Sequence, residues 1–371
     1  MPRRHARRST VPIGAVFATL ALVGAAAWFL GGRVGADAGV ADRVQGAGGS
    51  SPAAGASGTD DAANDALEKP QDAATPTVTP TPTPTPESKQ KLVIHGAGDV
   101  SLDPSYIPAL RANGYEWAWS GLEGLFQNDD LTVINHECPS TDVAAPQSKN
   151  FVFRCDPEAL DEALRAGVEV MNLANNHGYD QGPEGLLDSI RHMRRAGVLA
   201  VGAGEDAASA DAPRYVEVQG WRIAIVGVGE VLDPPTQVAT EDRPGTAVGH
   251  SFGRALRAIR EAERSADLVL VTIHWGVELD TQPRDYQVQE ARRMIEAGAD
   301  AIFGHHSHRL QPMDTFQGRP IFYGLGNFVW PRLSIEGATT AVAQVVVRPD
   351  GTIEGRLLPA EIVSDGHPVL R

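Results

Sequence analysis

Beyond Lys91 the chain alternates short, almost wholly apolar runs with longer stretches of mixed character. The runs Leu92–Ala97, Leu131–Asn135, Val168–Leu173, Arg222–Val228, Leu268–Ile273, Ala301–Phe303 and Pro320–Tyr323 have the length and branched-residue content of strands. Leu268-Val269-Leu270-Val271 and Ile223-Ala224-Ile225-Val226 offer no polar face, as expected of a sheet covered on both sides. Helical punctuation lies between the runs. Asp156-Pro157 reads as a cap with proline in the first turn of a helix that stops at Gly167. Two more helices end before Gly197 and Gly298, where glycine suits a left-handed terminus, and Ser251 caps one running to about Arg264. Hairpins turn at Gln219-Gly220 and at Pro349-Asp350-Gly351. The pattern predicts a layered α/β domain with some antiparallel pairing and no internal repeat.

The first 90 residues follow another logic. Arg3, Arg4, Arg7 and Arg8 precede a charge-free run of 20 residues, Val11–Leu30. At about 1.5 Å per residue in a helix, such a run spans the ~30 Å apolar core of a bilayer. Basic residues stay on the cytoplasmic side, so residues 1–10 form a cytoplasmic tail and the rest is exported. Ala36-Asp37-Ala38 resembles a cleavage site, which makes a cleaved signal peptide the rival reading. The run exceeds the usual ~7–15-residue signal core, and that favours a transmembrane signal anchor over residues 11–31. Residues 32–90, first rich in Gly, Ala and Ser and then a Thr-Pro repeat, read as a disordered linker.

Charge sharpens the division. Residues 1–90 are balanced, so the net charge of −15 belongs to residues 91–371, as do ten of the eleven histidines. An acidic domain argues against a nucleic-acid partner. The two cysteines, Cys138 and Cys155, lie in the exported part; they are either core thiols or a bridge that an oxidising compartment permits.

The polar residues that follow the apolar runs carry the chemistry. Leu92–Ala97 leads to Gly98-Asp99, Leu131–Asn135 to Glu137, and Val168–Leu173 to Asn175-Asn176-His177. Leu268–Ile273 leads to His274, and Ala301–Phe303 to His305, His306 and His308. Ligands bind beyond the carboxyl ends of strands in open α/β sheets, so these residues converge on one rim. Carboxylate and amide oxygens with imidazole nitrogens are what Mn, Fe or Zn ions take. Taken singly, each has a plainer reading: Asp99 as a turn residue, Glu137 in an ion pair, His274 as a hydrogen-bonded core residue. Five strands ending this way make those readings weak together. Cys-x-x-Cys, P-loop and Gly-x-Ser-x-Gly signatures are absent from the sequence.

In this order the residues resemble the CapA family, linked to bacterial capsule and poly-γ-glutamate synthesis, within the calcineurin-like metallophosphoesterases. The resemblance covers about residues 92–330. It rests on Gly98-Asp99-Val100-Ser101-Leu102, Asn135-His136-Glu137-Cys138-Pro139, Phe153-Arg154-Cys155-Asp156-Pro157 and Ala174-Asn175-Asn176-His177-Gly178-Tyr179-Asp180-Gln181-Gly182. It continues through His274-Trp275-Gly276-Val277-Glu278, Gly304-His305-His306-Ser307-His308 and Tyr323-Gly324-Leu325-Gly326-Asn327-Phe328-Val329. It implies a metallophosphoesterase-like β-sandwich flanked by helices, with two divalent metals. By position, Asp99 and His308 would hold the first metal, Glu137 would bridge, and Asn176, His274 and His306 would hold the second. His177 would be the general acid, oriented by Asp180. The wider superfamily has Asp-x-His where this chain has Asp99-Val100-Ser101, so a one-metal site is also open. Arg154 is a candidate for binding a substrate carboxylate or phosphate, with an ion pair as its alternative. Asn327 is a second candidate substrate contact. Glu278 matches the family pattern without a role that spacing assigns. His305 reads as a supporting residue, and His136, beside Glu137 on a strand, should face away.

Two functions follow from the resemblance. One is an anchored extracellular metal-dependent hydrolase acting on an envelope polymer such as poly-γ-glutamate, or on a phosphoester. The other is a non-catalytic metal-binding component of a membrane complex that exports or attaches the polymer. A structural wall tether leaves the histidines unexplained.

Overall fold

The computed structural model describes residues 88–247 and 252–371. The run Val11–Leu30, the linker up to residue 87 and the Ser251 cap lie outside the described residues. No helix among the described residues is long and apolar enough to cross a membrane.

Two mixed sheets form the frame. The first has eight strands, with Leu92–Val100 between the parallel Leu131–His136 and the antiparallel Thr339–Val347. Val170–Asn172 and Leu199–Val201 extend the parallel side, Ile353–Ser364 and His367–Leu370 the antiparallel side, and Asn327–Val329 pairs parallel with the end of the first strand. The second has six strands, with Trp221–Gly229, Leu268–His274, Ala301–His305 and Arg319–Phe322 parallel at its centre.

The continuous apolar runs are explained by period-2 alternation between two cores. In Leu268–His274, Leu268 and Leu270 join the core shared by the two sheets, whereas Val269, Val271 and Ile273 face helices. Ile223 and Ile225 likewise pack between the sheets, and Ala224, Val226 and Val228 pack outward. The helices Ala159–Arg165 and Gly182–Ala196 cover the outer face of the first sheet, and Gly253–Glu263 and Asp285–Glu296 that of the second. The result is a four-layer helix–sheet–sheet–helix sandwich.

Turn chemistry matches the sequence reading where glycine leads it. Gly197 and Gly298 sit at φ 89° and 116°, and the hairpin at Gln219-Gly220 has positive φ at both residues. Asp156 differs. Regular helix begins only at Ala159, and the Asp156 carboxylate accepts the Tyr115 hydroxyl at 2.6 Å instead of capping helical N–H groups. A tertiary partner outcompetes the local cap.

Cys138 and Cys155 form a disulfide, with Cα atoms 5.9 Å apart. The bridge ties the residue after Glu137 to the segment carrying Phe153, whose ring lies 4.3 Å from that of His177. A loop of this length contributes on the order of 3 kcal/mol in the chain-entropy model. The double variant Cys138→Ala/Cys155→Ala is therefore expected to melt roughly 6–12 °C lower, measurable by calorimetry. An unchanged melting temperature would show that the bridge carries no stability.

Candidate metal centre

Strand pairing aims the polar residues. Asp99 lies opposite Asn135 on one neighbour and Asn327 on the other. A side chain at Gly98 would collide with the Gly326 carbonyl, which receives the Asp99 N–H at 2.9 Å. Glycine at 98 thus lets the two strand ends close around Asp99. Glu137 follows directly on Leu131–His136. His274 ends its strand in register with His305 on the next. The loop beyond holds His306 at φ 89° and His308 at φ 50°, a left-handed backbone that costs of order 1–3 kcal/mol per residue and clusters at functional sites.

Two groups of potential metal donors result, each with its ligand atoms within 4.8 Å of one another: Asp99, Glu137 and His308, and Glu137, His274 and His306. Glu137 is common to both. Its Oε1 lies 3.6 Å from His274 Nε2 and 3.8 Å from His308 Nε2. Asn176 presents its Oδ1 2.8 Å from His274 Nε2. Asp99 and Glu137 are fully buried, yet Asp99 Oδ2, Glu137 Oε1 and His306 Nδ1 have no hydrogen-bonding partner among the described residues. His308 Nδ1 is 3.1 Å from Asp99 Oδ2 but donates to Asn327 Oδ1 at 2.8 Å. Buried groups are rarely left unpaired, because an unsatisfied one costs roughly 1–3 kcal/mol. Orphaned carboxylate and imidazole atoms that converge fit divalent cations.

The ionisation pattern fits too. Burial and the neighbouring Asp99 push Glu137 well above the usual carboxylate range. Burial opposes ionisation of Asp99 as well, but the facing His308 imidazole holds it below its usual value. His308 resists its own desolvation because Glu137 and Asp99 face it, and its imidazole is raised to about 9. Burial and its histidine neighbours push His274 well down, and His306 falls to about 4 for the same reasons. The carboxylates thus attract one cation already, a proton on His308; metal binding would release it.

The general-acid candidate stands beside these groups. His177 Nδ1 donates to Asp180 Oδ2 at 2.8 Å, which leaves Nε2 as its reactive nitrogen. Asp180 is fully buried and is held by Lys149 Nζ at 2.8 Å and by the Phe153 N–H at 2.7 Å. Burial lowers the pKa of His177, and the bond to Asp180 partly restores it. Asn175 Oδ1 accepts the N–H groups of His177 and Gly178, shaping the loop that presents Asn176 and His177.

The structure brings together all eight residues read as metal ligands, acid or acid orienter. The two substrate candidates fare differently. Asn327 spans His308 and the Gly337 carbonyl, so it orients a donor of the centre. Arg154 has an exposed side chain and does not line the adjoining cavity; Arg309 does. His136 points away to Ser140 Oγ at 2.8 Å, and burial lowers its pKa to about 3. His305 supports the frame through Ala97 O at 3.1 Å. Glu278 forms a further donor group with His306 and His308.

The sequence reading assigned no role to Asn135 or Lys149. The Asn135 amide donates to Asp99 Oδ1 at 2.9 Å and lies 3.1 Å from His274 Nδ1, joining donors on both sheets. The polarity of Asn135 at the end of an apolar strand was the one available clue.

A cavity of about 280 Å³ opens on His177 and His308. Its walls include Tyr106, Phe151, Phe153 and Trp330.

Comparison with known proteins places this geometry in context. Residues 93–332 match the family described as bacterial capsule synthesis protein PGA_cap. The chain is 31% identical over 287 residues to the capsule biosynthesis protein CapA of Bacillus anthracis, covering 75% of this chain and 69% of that protein. It is 31% identical over 270 residues to the PGA biosynthesis protein CapA of Bacillus subtilis, covering 71% and 70%. A probable polyglutamine synthesis accessory protein of Mycobacterium tuberculosis is 30% identical over 240 residues, covering 60% and 63%. Among solved structures, the NAD nucleotidase of Haemophilus influenzae aligns with a TM-score of 0.46 at 14% identity, covering 73% of this chain and 50% of that one. The chain thus spans about half the length of that solved protein.

Proposed function

We propose, from the premise that this chain belongs to the bacterial capsule synthesis protein PGA_cap family, that it is a metal-dependent hydrolase of the cell envelope. Its substrate would be an envelope polymer such as poly-γ-glutamate, or a phosphoester. The observation that carries the reading is the pair of donor groups sharing Glu137, with buried atoms that lack a hydrogen-bonding partner among the described residues. Divalent metal, when bound, supplies Lewis-acid stabilisation of negative charge developing on the substrate.

The chain's own residues do the rest. Asp99, Glu137, His274, His306, His308 and Asn176 hold the ions, and Asn135 and Asn327 fix the directions of His274 and His308. His177 holds a proton at Nε2 for the leaving group. Asp180 keeps the ring turned that way, and Lys149 keeps Asp180 in place. In this reading Val11–Leu30 anchors the protein in the membrane with the hydrolase domain outside.

A non-catalytic reading is favoured by one observation, the name synthesis accessory protein carried by the mycobacterial relative. The centre would then grip polymer carboxylates without cleaving a bond. Elemental analysis of the metal-replete full chain tests the common premise, with His306→Ala alongside. About two equivalents are expected, falling in the variant. One equivalent would mean that the first site is incomplete with serine at 101, and none would overturn the metal reading.

A further inference from the structure

The cavity beside the metal centre has a chemistry of its own. Phe151, Leu279 and Leu333 stand in its wall with 64%, 60% and 76% of their surface exposed, and Phe153 and Trp330 extend the apolar face inward. Ile335, 74% exposed, is next but one to Leu333. Three of the seven large apolar side chains exposed among the described residues thus line this one opening. The fold does not require them there, and exposed apolar clusters of this kind mark binding sites.

The charges in the wall argue further. It contains one arginine and one glutamate, Arg309 and Glu278, and Arg309 is tied to the His308 carbonyl at 2.7 Å. A segment of γ-linked polyglutamate brings a carboxylate with every residue, and a wall with a single arginine beside a glutamate does not match that charge. The anionic part of a ligand belongs at the metals, and an apolar part belongs against Phe151 and Leu333.

We propose that the centre takes an amphiphilic phosphoester: a phosphate bound at the donor cluster and joined to an apolar alcohol that fills the adjoining cavity. The inference rests on the metal-centre reading above and narrows its substrate class. The apolar group is either an aliphatic chain, as in a lipid-linked phosphate, or a flat aromatic ring.

Non-hydrolysable phosphonates separate these terms without depending on turnover. Methyl-, hexyl- and phenylphosphonate are titrated by calorimetry into the manganese-loaded full chain and into the double variant Phe151→Ser/Leu333→Ser. Both substituted residues are exposed, so the variant is expected to keep the wild-type metal content. The larger phosphonates should bind wild type at least about tenfold more tightly than methylphosphonate, since burying two methylene groups already gives that factor. The variant should lose the gain and keep its affinity for methylphosphonate. A larger gain for hexyl than for phenyl assigns an aliphatic chain, and the reverse assigns a ring. Equal affinity for all three overturns the amphiphilic substrate while leaving the metal centre intact. Failure of all three to bind metal-loaded protein overturns the phosphoester reading itself.

Discussion

Glu137→Gln is expected to lose at least about 100-fold in affinity for both metal ions, and activity with them. Groups that merely support a metal ligand typically account for 10–100-fold in affinity, so a carboxylate shared by both donor groups sets that range as a floor. Glutamine preserves the shape and one oxygen but removes the charge that offsets two dications. The fold should survive, because glutamine avoids the cost of burying an ionised group that raises the pKa of Glu137. Calorimetric titration of metal into the metal-free variant, with melting temperature as control, gives the answer. Wild-type affinity at both sites would exclude Glu137 as the bridge. Loss at one site alone would assign it to a single metal.

His177→Ala is expected to lower kcat by about 10²–10⁴-fold, the usual contribution of a general acid, while metal content stays at the wild-type level. The pH profile supplies a second check. A general acid must hold its proton, so activity falls as pH rises through its pKa. Burial places that pKa below the ordinary histidine value, and the negative charge of Asp180 pulls it back up. In Asp180→Asn the upward pull is gone. The alkaline limb of kcat should therefore move to lower pH, and activity at neutral pH should fall with it. A structural role for Asp180 would reduce activity without moving the limb. If His177→Ala keeps full hydrolytic activity, His177 is not the acid. If neither protein hydrolyses any phosphoester yet both bind metal, the non-catalytic reading gains.

Much of the candidate site was legible in the sequence because the fold uses strand ends. An apolar run of three to six residues that stops at a carboxylate, amide or imidazole is visible in one dimension, and parallel pairing collects such ends on one rim. Asp99, Glu137, Asn176, His274, His306 and His308 were readable for that reason. Asp180 was readable because it sits three residues after His177 in the same turn. Arg154 shows the limit. Its charge invited a binding role, but its backbone N–H is tied to Asp103 and its side chain is exposed, whereas Arg309 reaches the cavity. Nothing in the spacing distinguishes the two.

Asn135, Lys149 and the wall of Phe151 and Leu333 were illegible for a different reason. Asn135 acts through contacts with Asp99 and His274, 36 and 139 positions away. Lys149 reaches Asp180 across 31 positions from a loop without periodicity.

Local chemistry in the sequence by itself determined the strands, the helix-ending glycines and which residues are candidate metal donors. Each depends on apolar period, backbone freedom or donor type, which are properties of a residue and its near neighbours. Tertiary structure alone decided that Glu137 stands in both donor groups, that Asn327 contacts His308, and that an apolar cavity adjoins the donor groups. Those facts depend on how two sheets close over a shared core, bringing side chains from distant positions to within a few ångströms.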